Sequence, residues 1–244
     1  MRLDVYLAHY GHTESRSRAA FLIENGAVTV NDKVVRRAAQ VITENCTVAV
    51  LSDMLPYVSR GGLKLAGAIA DFELQEIVQG AIVLDVGTST GGFADCLLRH
   101  GASKVYGVDI GKDQLHHTLR GNPKLISLEN QDIRSLTTNE IREKCNLCTI
   151  DVSFTSQTLL YPSILPFLSD DAILVSLIKP QFEAGRKALT KSGKIKTSAL
   201  LKKTVEQVTE AAALQGLQLI KTAPSRQAGG EGTAEWFGLF KYKN

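Results

Sequence analysis

Three things are scarce in this chain, and each scarcity excludes something. No apolar run approaches the roughly 20 residues that cross a bilayer, so a helical membrane protein is not expected. Cysteines number four in 244 residues, too few for a disulfide framework to hold the fold. Neither sign of charge prevails: 28 Lys and Arg face 25 Asp and Glu, giving a net charge of +3 and a pI near 8.6. That balance permits an acidic polymer as partner without requiring one. No internal repeat is visible, and nothing at the start reads as a signal peptide, so a reducing cytoplasm is the expected location. Core-forming residues are plentiful. Hydrophobic residues make up 44% of the chain, enough for one large domain and a small one.

The organising stretch is Val83–Phe93, VLDVGTSTGGF. The apolar run from Ala81 to Leu84 reads as a buried parallel strand with Asp85 at its carboxyl end. Gly87, Gly91 and Gly92 precede an apolar helix from Phe93 to Leu98. Strand, glycine turn and helix make the first unit of a nucleotide-type α/β fold. A second strand, Lys104–Val108, ends in Asp109, about 20 residues beyond the first glycine, where an acid can hold ribose hydroxyls. A dinucleotide fingerprint would need glycine where the frame Gly87, Ser89, Gly92 has serine, and that glycine is the one that lets a pyrophosphate approach. S-adenosylmethionine carries no pyrophosphate; its ribose, amino-acid end and sulfonium suit Asp85 and Asp109. The methyl-donor reading therefore leads, over NAD and over a turn that merely packs helix on sheet.

Residues 1–55 read as a separate small module. Leu3, Tyr6, Leu7 and Tyr10 share a helical face. Thr13 or Ser15 can cap a second helix over Arg16–Glu24. Ala27–Val30 and Val34–Val35 form a hairpin around Asn31-Asp32-Lys33, and Thr47–Leu51 adds a strand. Arg16, Arg18, Lys33, Arg36 and Arg37 can share a surface, although the module's acids nearly balance its bases. Residues 56–62, PYVSRGG, read as a linker. A helix over Leu63–Asp71 follows, on which Lys64 taken alone is an ordinary surface lysine.

Three more apolar strands, Leu125–Leu128, Leu147–Ile150 and Ala172–Ile178, deliver Glu129, Asp151 and Lys179 to the edge where open α/β sheets bind ligands. Asp132, just beyond the third strand, falls where such folds contact adenine. Cys145 and Cys148 form one C-x-x-C with no second pair or nearby histidine, so they flank a strand and no metal is expected. Gly185–Lys196 is a basic, flexible loop that beside a reacting edge would steer phosphates. A helix over Thr197–Gln215 and strands over Leu217–Ala223 and Glu235–Tyr242 complete the chain. Asp151 and Lys179 can meet near the cofactor. Methyl transfer to oxygen needs the acceptor positioned and its proton removed. Carboxylates beside an amine favour its charged form, whereas desolvation and a sulfonium oppose it. Asp151-Val152-Ser153-Phe154 lacks the prolines that amine-methylating enzymes carry there, which favours an oxygen acceptor.

Two resemblances follow from these motifs. The order helix, S-R-S-R-A-A helix, E-N-G-A-V-T-V-N turn resembles the small RNA-binding module shared by a ribosomal protein, pseudouridine synthases and the tyrosyl-tRNA synthetase tail. In that module the second helix and following turn hold structured RNA. SRGGLKL, DVGTSTGGF, DVSF, IKPQFE and EWFGLF, taken in order, resemble the TlyA family of ribosomal-RNA 2′-O-methyltransferases, which place an FtsJ-like domain behind such a module. The resemblance implies an α/β, Rossmann-like methyltransferase domain over residues 63–244, with S-adenosylmethionine at Asp85, Gly87, Ser89, Gly91, Gly92, Asp109 and Asp132. It implies a Lys64, Asp151, Lys179, Glu235 tetrad in which Lys179 acts on a ribose hydroxyl, of cytidine, with Glu231 as the rival of Glu235. The chain opens directly on its first helix, as do the shorter members, which modify the large subunit alone. Two other readings stay open: an RNA-binding or assembly protein with vestigial catalysis, and a membrane-active hemolysin, a label family members often carry. Oligomeric state is not implied.

Overall fold

The computed structural model describes residues 1–13, 15–43, 45–51, 56–229 and 232–243. The chain divides into two compact units, Met1–Arg60 and Gly61–Asn244.

In the first unit, α1 (Leu3–His9) and α2 (Arg16–Glu24) pack Leu3, Leu7, Ala19, Leu22 and Ile23 into one core. Ser15 caps α2 by accepting from the Arg18 backbone N–H at 3.1 Å, which satisfies one donor that the first turn leaves open. Strands β1 (Val28–Val30), β2 (Lys33–Val34) and β3 (Val48–Val50) form an antiparallel sheet in the order β2-β1-β3. The turn is shorter than expected. Asn31 and Asp32 alone make it, at φ of 50° and 62°, and Lys33 already pairs with Val30. A two-residue turn with both φ positive matches the twist of a hairpin, and Asn and Asp tolerate that region.

The second unit is a layered α/β structure. Its elements are α3 (Arg60–Asp71), α4 (Gln75–Val78), β4 (Ile82–Val86), α5 (Gly92–Arg99), β5 (Lys104–Asp109), β6 (Leu125–Glu129), β7 (Cys145–Ile150) and α6 (Tyr161–Ile164). They continue as β8 (Leu168–Ile178), α7 (Pro180–Glu183), α8 (Ser198–Ala213), β9 (Leu217–Pro224) and β10 (Trp236–Tyr242). The seven strands run in the order β6-β5-β4-β7-β8-β10-β9. β4, β5, β6, β7 and β8 pair in parallel, and β10 lies antiparallel between β8 and β9. Strand order reverses at β4, which pairs with both β5 and β7; ligands of open sheets bind outside such a switch point. One face of the sheet buries Leu84, Val108, Ile150, Tyr161, Leu174 and Phe240 in a continuous core. Helix α3 starts at Arg60, three residues before the expected Leu63, so the segment read as a linker is partly helical. The segment expected to be a flexible loop carries a short helical turn at Arg186–Ala188 and a bridge between Leu189 and Ile195.

Cys145 and Cys148 are free, buried thiols on β7, both pushed up by burial, Cys145 to about 12. Among the described residues, no group of three His, Cys, Asp or Glu is placed to hold a metal ion. None of the described helices is long and apolar enough to cross a membrane.

Asp85, in β4, is fully buried. Thr149 of β7 donates to its Oδ1 at 2.7 Å, and Oδ2 has no partner. Burial pushes the carboxyl up to about 7, lost hydration outweighing the hydroxyl bond. The folded state therefore keeps a proton that an unfolded aspartate releases at about 3.9. Between those values the folded chain binds more protons, and stability falls as pH rises. Replacing Asp85 by Asn removes this loss. Urea unfolding should show D85N gaining on the wild type by about 2 kcal/mol between about pH 5 and about pH 7, at roughly 1.4 kcal/mol per unit. An unchanged difference would mean that Asp85 is ionised throughout.

Candidate active site

Strand register brings the expected reacting groups to one edge. β7 and β8 run parallel, so both deliver their following residues, Asp151 and Lys179, to the carboxyl side. β10 runs the other way, and its first residue, Trp236, pairs with Ile178, the last residue of β8. One step further along this ladder Glu235 stands opposite Lys179. α3 supplies Lys64. These four side chains form two ion pairs: Lys179 Nζ lies 2.6 Å from Asp151 Oδ1, and Lys64 Nζ donates to Glu235 Oε2 at 2.6 Å. The second pair is buried, with side chains 11% and 3% exposed, so Lys64 is not the surface lysine that its helix alone suggests. Glu231, the rival of Glu235, lies outside the described residues.

The segments leaving β7 and β8 are joined side chain to side chain at three levels. At the first, Lys179 faces Asp151 and donates a hydrogen bond to Ser153 Oγ at 2.9 Å. At the second, Phe154 and Phe182 stand with ring centroids 5.1 Å apart. At the third, Glu183 accepts from the Ser156 hydroxyl and from the Gln157 backbone N–H, the latter at 3.0 Å. Behind this rung the buried Gln157 accepts from Tyr161 and Ser176. Helix α7 has only four residues and would not persist alone. These rungs hold it, and with it Lys179 at its N-cap. Sequence reading missed Ser153, Phe154 and Glu183, because pairings some 26 residues apart leave no local signal.

A cavity of about 620 Å³ opens outside the ends of β4, β5 and β7, lined by Gly87, Ser89, Asp109, Asp132, Asp151 and Ser153 among others. Its size lies within the range of roughly 300–1,000 Å³ typical of small-molecule sites. Gly87 has φ +89°, and a Cβ there would lie 2.6 Å from the Asp151 carbonyl, so only glycine lets the turn pass beneath the site. Asp109 accepts backbone N–H groups from Ser89 and Gly111, each at 2.7 Å. A carboxylate offers about four acceptor positions, so Asp109 keeps room for two hydroxyls. Asp132 caps the next turn through the Arg134 N–H at 2.9 Å and pairs with the Arg134 guanidinium, which holds its carboxyl below the usual range. Apolar walls from Ile110, Ile133, Val152 and Leu160 complete a setting for an adenosine with a cationic sulfur. S-adenosylmethionine therefore fits the donor set.

Three expected cofactor residues do not line this cavity. Asp85 is buried on one face of the sheet, where Thr149, its register partner on β7, donates to it and so ties β4 to β7. Gly91, at φ +88°, and Gly92 form the turn into α5, where a Cβ on Gly91 would strike Leu119 and Leu115. Gln114, which sequence reading passed over, lines the cavity and accepts from the Ser89 hydroxyl at 3.1 Å.

In the first unit, several of the expected RNA contacts also hold the fold. Arg16 bonds the buried Asp4 at 3.2 Å beside Arg2, Arg18 donates to the Val58 carbonyl, and Arg36 donates to the Glu24 carbonyl at 3.3 Å. Lys33 and Arg37 are exposed.

A switch-point pocket lined by Asp109 and Asp132, on a parallel sheet with one antiparallel strand inserted before its last, defines a Rossmann-like methyltransferase domain. The chain belongs to the FtsJ-like methyltransferase family: that family's model matches residues 57–242, and an S4 domain matches residues 1–48. It is 36% identical to hemolysin A of Brachyspira hyodysenteriae over 98% of this chain and 99% of that protein. It is 34% identical to the 16S/23S rRNA (cytidine-2′-O)-methyltransferase TlyA of Mycobacterium tuberculosis, over 97% and 88% of the two chains. The 23S rRNA (cytidine-2′-O)-methyltransferase TlyA of Campylobacter jejuni is 32% identical, over 97% and 98%. The solved structure of a hemolysin-named protein from Streptococcus thermophilus superposes with a TM-score of 0.79 at 34% identity, covering all of this chain and 89% of that one.

The rungs give a prediction. Glu183→Ala leaves the Ser156 hydroxyl and the Gln157 N–H without their acceptor and frees α7 to shift. Misplacement of a reacting group by about 1 Å costs on the order of 100-fold in rate. Methyl-transfer kcat should fall about 10- to 100-fold with the KM for S-adenosylmethionine nearly unchanged, and Glu183→Gln should recover part of the loss. A wild-type kcat in Glu183→Ala would show that Lys179 is held without this rung.

Proposed function

We propose that this protein transfers the methyl group of S-adenosylmethionine to the 2′-hydroxyl of a cytidine ribose in ribosomal RNA. The observation that carries the reading is the pairing of Lys179 with Asp151 and Ser153 beside a pocket suited to the donor. The TlyA enzymes named above supply the base, the sugar atom and the RNA class. Ribosomal RNA as substrate places the work in the cytoplasm.

When bound, S-adenosylmethionine supplies an electrophilic methyl on a sulfonium. Gly87, Ser89, Asp109 and Asp132 would hold it, with Gln114 beside them. Lys179 Nζ meets the incoming 2′-hydroxyl and, in the neutral form that the donor's sulfonium favours over the ion-paired ammonium, takes its proton as the oxygen becomes nucleophilic. Asp151 and Ser153 fix the direction of that amine. Lys64 and Glu235 form the second wall of the site. Phe154, 91% exposed beside Ser153, offers a free aromatic face of the kind on which unstacked bases rest. The S4 module, which we place at residues 1–55, grips folded RNA through Arg16, Arg18, Lys33, Arg36 and Arg37, and residues 63–244 carry the transfer. A membrane-lytic reading has no supporting observation among the described residues.

Lys179→Ala and Lys179→Arg should both lose methyl transfer to ribosomal subunits while binding S-adenosylmethionine as the wild type does, because the side chain acts on the acceptor. Arginine fails because a guanidinium stays protonated and cannot accept the proton. Labelled-methyl transfer and calorimetry check the two halves. Near-normal turnover by the arginine variant would show that Lys179 is not the base.

A further inference from the structure

The positive charge of this chain is unevenly placed. From Gly185 to Lys203 the sequence carries seven cations, Arg186, Lys187, Lys191, Lys194, Lys196, Lys202 and Lys203, and no acid. The rest of the chain holds 21 Lys and Arg against all 25 acids, so outside this segment the protein is net negative. Overall balance hides this concentration.

The segment has a built shape. Leu189 bridges Ile195, Thr190 N–H donates to the Lys194 carbonyl at 2.8 Å, and Gly193 N–H donates to the Thr190 carbonyl at 3.0 Å. Lys196 is drawn back onto it, its backbone N–H donating to the Ala188 carbonyl at 3.0 Å and its Nζ to the Lys187 carbonyl at 2.8 Å. The result is a basic hairpin with exposed cations. Against it lies a second cavity, about 270 Å³, whose lining includes Lys194, Lys196, Gln181, Thr233 and Ala234. Gln181 stands two residues after Lys179, and Ala234 is bonded to Glu235. The cavity wall thus includes close chain neighbours of Lys179 and Glu235.

Substrate chemistry gives this position a meaning. A ribose carries its 2′-oxygen and its 3′-phosphodiester on neighbouring carbons, so any 2′-hydroxyl brought to Lys179 brings an anion with it. The rest of residues 61–244 holds 14 Lys and Arg against 19 acids, so this segment is where the domain concentrates positive charge. We propose that the hairpin and its cavity are a phosphate subsite that holds the RNA strand flanking the target ribose. It rests on the ribose-methylation reading and extends it. The occupant is phosphodiester, recognised by charge and without base readout.

The test compares three forms of the full-length protein: wild type, Lys187→Gln/Lys191→Gln/Lys194→Gln, and a control that removes cations elsewhere, Lys124→Gln/Arg142→Gln. RNA binding is measured against salt concentration, and methyl transfer against the concentration of ribosomal subunits. Each lost single-strand phosphate contact lowers the slope of log affinity against log salt by about 0.7, so the triple variant should lose about 1.4 to 2. Its KM for subunits should rise about tenfold or more at moderate salt, and the control should move far less. S-adenosylmethionine affinity reports that each variant is folded. Wild-type slope and KM in the triple variant, with the wild type active, would overturn the subsite alone. An equal change in the control would also overturn it, as an effect of net charge. A wild type that transfers methyl to no RNA would overturn the methylation reading and the subsite together.

Discussion

The site depends on one strand running backwards. Had β10 joined β8 in parallel, as β4 to β8 join one another, its first residues would lie at the opposite edge of the sheet. Its antiparallel register instead puts Glu235 one step past the Trp236–Ile178 pair, opposite Lys179. The parallel pairing of β7 with β8 brings Asp151 to the same side. Three of the four charged groups thus owe their meeting to backbone hydrogen bonds, and only Lys64 comes from a helix. A sheet is a stiff frame for such a purpose, since a slip of one residue would turn every side chain to the other face.

The charges at this edge are not a plausible source of stability. Taking an ammonium and a carboxylate out of water costs several kcal/mol per ion, and their attraction repays this only with good geometry. Lys64 and Glu235 have that geometry, at 2.6 Å and nearly buried, yet an apolar pair of similar volume would hold the fold as well. Removing one partner alone would leave a buried charge, at a cost of about 3–5 kcal/mol. A loop near Glu235 has been shaped around it: a Cβ on Gly229 would lie 2.3 Å from Glu235 Oε1. Glycine there leaves room for the carboxylate and for the Thr233 hydroxyl, which a Cβ would meet at 2.4 Å.

Much of this was legible in the sequence, and the illegible part has a physical reason. Apolar runs ending in Asp109, Asp151 and Lys179 announced parallel strands and the polar residues at their ends, because buried strands must be apolar and strand ends need not be. The glycine turn was legible too, and what excludes a side chain at Gly87 is the Asp151 carbonyl of the chain itself. Hidden were the properties that arise only from packing. Lys64 looks exposed on an amphipathic helix until Glu235, 171 residues away, covers it. Asp85, read at the end of an apolar strand, proves fully buried beside Thr149. Glu183 was in plain view within IKPQFE, yet nothing near it names Ser156 or Gln157 as its partners. The strained residues were equally silent, since neither serine nor phenylalanine advertises a positive φ.

Of eight non-glycine residues with positive φ among those described, two lie at the candidate site. Ser89 at φ 47° and Phe154 at φ 65° both line the large cavity. For side chains other than glycine such conformations cost on the order of 1–3 kcal/mol each, and for a bulky aromatic they are true outliers. Each is held by something specific. The Ser89 N–H is bound by Asp109 and its hydroxyl by Gln114, and Phe154 is braced by Phe182 between the Lys179 and Glu183 rungs. The positive φ of Ser89 turns its N–H toward the acid at the end of β5. The positive φ of Phe154 comes with an aromatic ring left almost wholly in solvent, at 91% exposure, where burial would have stabilised the fold. A chain that spends two strained residues and one exposed ring within a single pocket is shaped there by what enters the pocket, since neither conformation improves the packing of the protein itself.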